Sequence, residues 1–216
     1  MKKALSTLCL FLGLSGTIVP LQASAHPHVY VDGGIDFIFE DGRLTRLRIT
    51  WLYDAFYSLY ILQEEGIDSD ADGVVTPDEK TRLAARETSW IENFDGDSFL
   101  WQGDTRIGLS YPIDATGDLV DGQVKIVFDR MLETPLAPGN DIYAKAFDPA
   151  YYSAYGITAD PVVIGMDDCT ATVFRFVPEG AIGALQADLS ALGRDETPEM
   201  PNIGELFADR IDLSCD

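Results

Sequence analysis

Residues Asp68-Ser69-Asp70-Ala71-Asp72-Gly73-Val74-Val75-Thr76-Pro77-Asp78-Glu79 restrict this chain more than any other stretch. Calcium loops of the EF-hand type place oxygen ligands at loop positions 1, 3, 5, 7, 9 and 12, with Gly at 6 for the sharp turn. Here Asp68, Asp70 and Asp72 supply carboxylates, Val74 a backbone carbonyl, Thr76 a hydroxyl or a bound water, and Glu79 the bidentate closing carboxylate. Gly73 fills the turn, and Val75 is an apolar residue that can face a core. Hard Ca²⁺ takes six to eight oxygens in flexible geometry, which is why oxygen donors dominate the pattern. An acidic solvated turn is the plainer alternative, because Asp and Gly are common in loops. A helix on each side would complete an EF-hand unit. Asp54 can cap the first, in which Phe56, Leu59, Tyr60 and Gln63 recur at helical spacing to about Glu65. Pro77 opens the second, which runs to about Asn93 with Leu83, Ala84, Glu87, Trp90 and Ile91 on one side. A lone loop of this kind stiffens a helical hairpin more readily than it switches one.

Outside that hairpin the chain reads as strands. Residues 28–39 alternate and are rich in Val, Ile, Phe and Tyr; Asp41-Gly42 gives the hairpin signal, and 44–52 return. Further strands are expected at 98–102, 105–111, 123–132, 141–147, 161–164 and 170–177, separated by Gly, Pro, Asp and Asn. A short helix at 180–192, a polar linker at 194–201, a helical turn at 203–210 and a strand at 211–215 complete the reading. The expected fold class is mainly β with α insertions (α+β). Its architecture is an antiparallel β-sandwich or open barrel, with an EF-hand-like helical hairpin inserted at 54–93.

The first 25 residues read as a signal peptide rather than as part of the fold. Lys2 and Lys3 form a basic start, an apolar run follows, and Ala23-Ser24-Ala25 is a small-residue cleavage site. A membrane anchor is the alternative, but Ser, Thr, Gly and Pro interrupt the run. No later stretch holds 18 uncharged apolar residues, so residues 26–216 are expected to be a single soluble periplasmic domain, with no direct membrane insertion after cleavage. The net charge of −21 excludes nucleic acid and anionic membrane surfaces as natural partners. Of three cysteines, Cys9 lies in the leader. Cys169 and Cys215 then form one pair for a disulfide in an oxidising compartment, which chain-entropy reasoning values at about 4 kcal/mol. A thiol metal site is the alternative, without a histidine near either cysteine.

Cleavage exposes His26-Pro27-His28, which holds both histidines of the chain. A terminal α-amine and two imidazoles offer three nitrogens to a borderline metal such as Zn²⁺, Ni²⁺, Co²⁺ or Cu²⁺. A copper site using backbone amides is disfavoured, because Pro27 has no N–H. A fourth ligand would come from Asp32, Asp54 or Asp148. The alternative is a frayed polar terminus. No serine-type catalytic set can form with histidines only at the terminus, and no glycine-rich phosphate loop is present. The aromatic clusters Trp51-Leu52-Tyr53, Phe56-Tyr57 and Tyr151-Tyr152 suit core or sheet-edge packing better than a ligand pocket.

Taken together, several fragments resemble a bacterial periplasmic family of unknown function. They are His26-Pro27-His28-Val29-Tyr30-Val31-Asp32, Trp51 with Asp54, Phe56 and Tyr57, the acidic loop, Phe147-Asp148-Pro149-Ala150-Tyr151-Tyr152, and Glu205-Leu206-Phe207-Ala208 with Cys215. Members of that family are described as periplasmic components of transport systems, encoded beside permeases of the nickel/cobalt type, some of them implicated in zinc acquisition. The resemblance implies a transition-metal role for His26 and His28 and an inner-membrane nickel/cobalt-type permease as partner. The chain lacks the histidine-rich tract of many metal-capture proteins. The combined expectation is a binding protein rather than an enzyme, holding Ca²⁺ in the loop and Zn²⁺ or Ni²⁺/Co²⁺ at its amino terminus. The competing expectations are a structural or assembly subunit of the permease that binds calcium alone, and a hydrolase with an acidic site.

Overall fold

The computed structural model describes residues 27–192, 196 and 198–216. The leader and His26 lie outside the described residues, as does part of the linker at 194–201.

Alternation of apolar and polar side chains builds the first sheet. Strand β1 (Val29–Glu40) turns at Asp41 and Gly42, both in the left-handed region, and returns as β2 (Arg43–Tyr53). Two successive residues at positive φ are what a tight two-residue hairpin requires, and Asp-Gly meets that need. The same device, Asp121-Gly122, joins β5 (Ile113–Val120) to β6 (Gln123–Leu136). The order in this sheet is β5-β6-β2-β1-β8, where β8 is Ser153–Ile157, and the short β9 (Val163–Ile164) also pairs with β1. Both β8 and β9 run parallel to β1, so the sheet is mixed rather than purely antiparallel.

The second sheet has the order β10 (Cys169–Phe174), β11 (Arg210–Cys215), β7 (Ile142–Ala146), β3 (Ser98–Gln102), β4 (Thr105–Ile107), all antiparallel. Cys169 and Cys215 face each other across β10 and β11 and form a disulfide. Each sheet ends in edge strands, so neither closes into a barrel. Phe37, Leu47 and Phe128 of the first sheet and Leu100, Ile142 and Ile211 of the second belong to one buried cluster. Burial of that shared apolar surface is what holds the two sheets together.

Among the described residues three α-helices, α1 (Ala55–Glu65), α2 (Pro77–Thr88) and α3 (Gly180–Ser190), and a 3-10 turn at Ile203–Phe207 complete the α+β fold. Asp54 caps α1, its carboxylate accepting from the Phe56 and Tyr57 amides. The Phe56-Leu59-Tyr60 stripe is indeed helical but faces outward, with Phe56 83% exposed; Ser58 and Ile61 face inward instead. Helix α2 stops at Thr88, short of the expected Asn93. Trp90 leaves the helical path there, its indole N–H donating to the Glu87 carbonyl at 2.8 Å while its ring packs on Trp51 and Phe128. Strands β5 and β8 are not anticipated by the pattern. Asp114-Ala115-Thr116-Gly117-Asp118 looks like an acidic turn, and Ser153-Ala154-Tyr155-Gly156 has too little alternation.

Helix α2 sits on β5 at Gly117. A Cβ there would stand 2.6 Å from the Leu83 Cβ and 2.8 Å from the Lys80 carbonyl oxygen. Gly117→Ala should therefore lift α2 from the sheet at a cost of about 1–3 kcal/mol, measurable by urea unfolding. An unchanged midpoint would show that the helix does not rest on this residue.

Candidate functional site

The acidic loop lies between α1 and α2. Asp68, Ala71 and Gly73 all take the left-handed conformation, which turns the chain back on itself within six residues. The Asp68 carboxylate accepts from the amides of Asp72 (3.0 Å) and Gly73 (3.1 Å), and that of Asp72 accepts from Val74 (2.8 Å). In this turn one carboxylate oxygen each from Asp68, Asp70 and Asp72 lies within 4.8 Å of the others. Asp70 takes no part in the hydrogen-bond net. Val75 and Ile67, on either side of the turn, are buried and moor the loop to the core.

Glu79 closes the loop, though through hydrogen bonds to the chain. It accepts from the Asp68 amide at 3.0 Å and from the amide and hydroxyl of Thr76 at 2.8 and 2.7 Å. Thr76 in turn caps α2 by accepting from the Glu79 amide, a reciprocal capping box. The Thr76 backbone bond, with its hydroxyl and the Asp68 amide, holds the Glu79 carboxyl below the usual carboxylate range. The structure thus brings Asp68, Asp70 and Asp72 together, holds Glu79 against the start of the loop, and commits the Thr76 hydroxyl to Glu79. The Val74 side chain is exposed.

His28 sits just ahead of β1. Its amide donates to the Tyr152 carbonyl at 2.7 Å, and its imidazole lies 4.6 Å from the Tyr152 ring. The three acids considered as its partners are placed differently. Asp54 caps α1 and also accepts from the Tyr30 amide. Asp148 accepts from the amides of Ala150, Tyr152 and Ser153, fixing the turn that carries Tyr152. Asp32 is exposed on β1. Among the described residues, the loop is the one group of three or more His, Cys, Asp or Glu side chains whose ligand atoms converge.

His28 lines a hollow of about 470 Å³ with Val29, Phe56, Tyr57, Tyr60 and Tyr152. Val29, Tyr57 and Tyr152 also wall a second hollow of about 490 Å³, which runs inward past Trp51, Trp90, Asp97 and Tyr155. Asp97 follows Gly96, both in the left-handed region, and is 6% exposed. Its carboxylate accepts from the Tyr155 hydroxyl at 2.9 Å. Beside it, Tyr53 donates to Glu87 at 2.7 Å. Sequence reasoning missed this group, because Asp95-Gly96-Asp97 looks like ordinary turn punctuation and Glu87 like a solvated helix residue. The one available signal was the density of Trp and Tyr in the segments that converge here.

Burial, reinforced by the negative charge of Asp148, pushes the Asp97 carboxyl up to about 7. Below about pH 4 this group is protonated in both folded and unfolded chains. Between about pH 4 and pH 7 the unfolded chain gives up its proton while the folded one keeps it, so stability falls as pH rises through that window. Asp97→Asn retains an acceptor for Tyr155. It should flatten that fall and stabilise the protein at about pH 8 by up to about 4 kcal/mol. Unfolding at low and high pH checks this; parallel pH profiles for parent and variant would refute it.

Comparison with known proteins extends over the whole arrangement. A protein of Haemophilus influenzae, described as uncharacterized, is 24% identical over 215 residues, covering 98% of this chain and all of its own length. No solved structure matches. The model of the family described as "Protein of unknown function (DUF1007)" matches residues 11–215, which include the acidic loop, His28 and both cysteines of the disulfide. The chain therefore belongs to the DUF1007 family.

Proposed function

We propose that this chain is an exported metal-binding accessory protein of a transition-metal uptake system, with a structural calcium ion in an EF-hand-like loop. The fold in this reading is an open β-sandwich with the helical hairpin 54–93 inserted between β2 and β3. The carrying observation is the convergence of Asp68, Asp70 and Asp72 around a left-handed Gly73, with Val75 anchored in the core. Three carboxylates at that spacing repel one another unless a cation sits among them. A hard divalent ion that takes many oxygens meets that need, and Glu79 supplies the closing ligand once it releases the Asp68 amide and Thr76.

The transition-metal half of the proposal rests on His28, just ahead of β1, and on His26, two residues before it in the sequence. Zinc or nickel/cobalt would be held there by imidazoles and the new α-amine, and passed to an inner-membrane permease of the nickel/cobalt type, the partner that the resemblance implies. The second reading is an assembly subunit of such a permease that binds calcium alone. The outward apolar stripe of α1 favours it, since Phe56, Leu59 and Tyr60 present a surface suited to another protein.

Calcium in excess over a dissociation constant of about 10⁻⁴–10⁻³ M should stabilise the mature protein by about 1.4–2.7 kcal/mol at 10–100 times that concentration. Asp70→Ala should remove this gain without weakening the calcium-free protein, because Asp70 takes no part in the loop's own hydrogen bonds. Thermal unfolding with calcium and with chelator measures both. Equal gains for parent and variant would mean that calcium acts elsewhere. Separately, His26→Ala with His28→Ala should abolish zinc binding in isothermal titration and leave the calcium effect intact. Undiminished zinc affinity in the double variant would remove the transition-metal role.

A further inference from the structure

We propose that the inner hollow between the helical hairpin and the first sheet is a binding site for a small organic ammonium ion, distinct from the calcium loop. Trp51, Trp90, Tyr155, Asp97 and Asp148 carry the argument. The hollow, at about 490 Å³, has room for a ligand of several heavy atoms. Its aromatic walls are fixed in position. The Trp51 ring stands 6.1 Å from those of both Trp90 and Tyr155, and Trp90 is held at 5.2 Å by Phe94. Trp90 also presses against Gly96, where any Cβ would fall 2.2 Å from the indole. The indole is already in the field of a cation, with the Arg130 guanidinium 5.2 Å from its centre.

Aromatic faces attract a cation that enters within about 6 Å of a ring centroid, most strongly when water is excluded. Carboxylates complete such a site. Glu87 is neutralised, since its oxygens meet Arg86 and the Tyr53 hydroxyl. Asp97 and Asp148 form no salt bridge among the described residues; their partners are a tyrosine hydroxyl and backbone amides. Two acids therefore face an aromatic hollow in which Arg86 is paired with Glu65 and Glu87; Arg130, bonded to the Asp95 and Ser98 carbonyls, acts on Asp97 through its charge without a salt bridge. A metal ion does not answer this geometry. Among the described residues, no three ligand atoms of His, Cys, Asp or Glu converge in the hollow. An alkylated ammonium needs no convergent lone pairs. It is weakly hydrated, spreads its charge over methyl or methylene groups, and matches ring faces on some sides and a carboxylate on another. The hollow shares Val29, Tyr57 and Tyr152 with the one at His28.

Two of the three tryptophans line the hollow, and Trp101 packs on Tyr143 in the other sheet. A Trp101→Phe protein therefore reports on the hollow by fluorescence. Choline chloride is the probe, titrated at constant ionic strength with chelator present, so that the result does not depend on the metal reading. Its uncharged carbon analogue, 3,3-dimethyl-1-butanol, is the control. The expected result is a saturable fluorescence change with choline, none with the alcohol, and affinity weakened about tenfold or more by Asp97→Asn, the loss of one interaction with a charged group. If Asp97→Asn does not fold, Trp90→Leu should give the same loss. No saturable change, an equal response to the alcohol, or undiminished binding in the folded variant would each overturn the proposal. Loss of calcium or zinc binding elsewhere in the chain would leave it untouched.

Discussion

Strand β1 sets the position of nearly everything else in the molecule. Its backbone pairs with β2 from Val31 to Glu40, and on the other side with β8 and then β9. A strand bonded along both edges has no freedom to slide, because a slip of one residue would turn every core side chain toward water. At Gly33 an added Cβ would meet the Gly156 carbonyl oxygen of β8 at 3.4 Å, an ordinary contact. The parallel neighbour carries Tyr152 and Asp148 on its entry turn, so the start of β1, the histidine before it and the two hollows are located by one set of backbone bonds. The acidic loop is fixed separately, through the helices.

The hairpin of α1 and α2 is tied to the sheet by a few buried polar contacts. The Ser58 hydroxyl donates to the Tyr53 carbonyl and accepts from the Val124 amide, linking α1 to both β2 and β6. Tyr53 donates to Glu87 of α2, and Lys80 reaches Asp118 of β5. Each of the first three contacts lies in or near the interior, where an unmade bond is costly, so the hairpin has one seating rather than several. The loop at its tip is consequently presented on a rigid support, and any ion it holds would stiffen a structure already in place.

Much of this was legible in the residues. The Asp-Gly hairpin, the two helices around the acidic loop, most strands of both sheets and the Cys169–Cys215 pair follow from period, turn chemistry and the count of cysteines. The misses have physical causes. Period alone reveals a helix but not which side is wet, so Phe56, Leu59 and Tyr60 gave the right element without telling its face. Strand β8 pairs in parallel across a long stretch of chain, and its short, half-buried sequence carries no local signal. Trp90 leaves its helix because a distant ring, Trp51, offers better packing than another helical turn. Asp97 escaped notice for the same reason: what makes it unusual is burial among residues remote in sequence, which no window of neighbours records.

Strand β11 constrains the order in which the second sheet can assemble. β11 does not lie at an edge; it runs between β7 and β10 and supplies the hydrogen bonds that join them. The second sheet therefore cannot be completed until residues 210–215 have emerged from the ribosome. Until then β10 has no strand to pair with in that sheet, and the Cys169 thiol waits for Cys215.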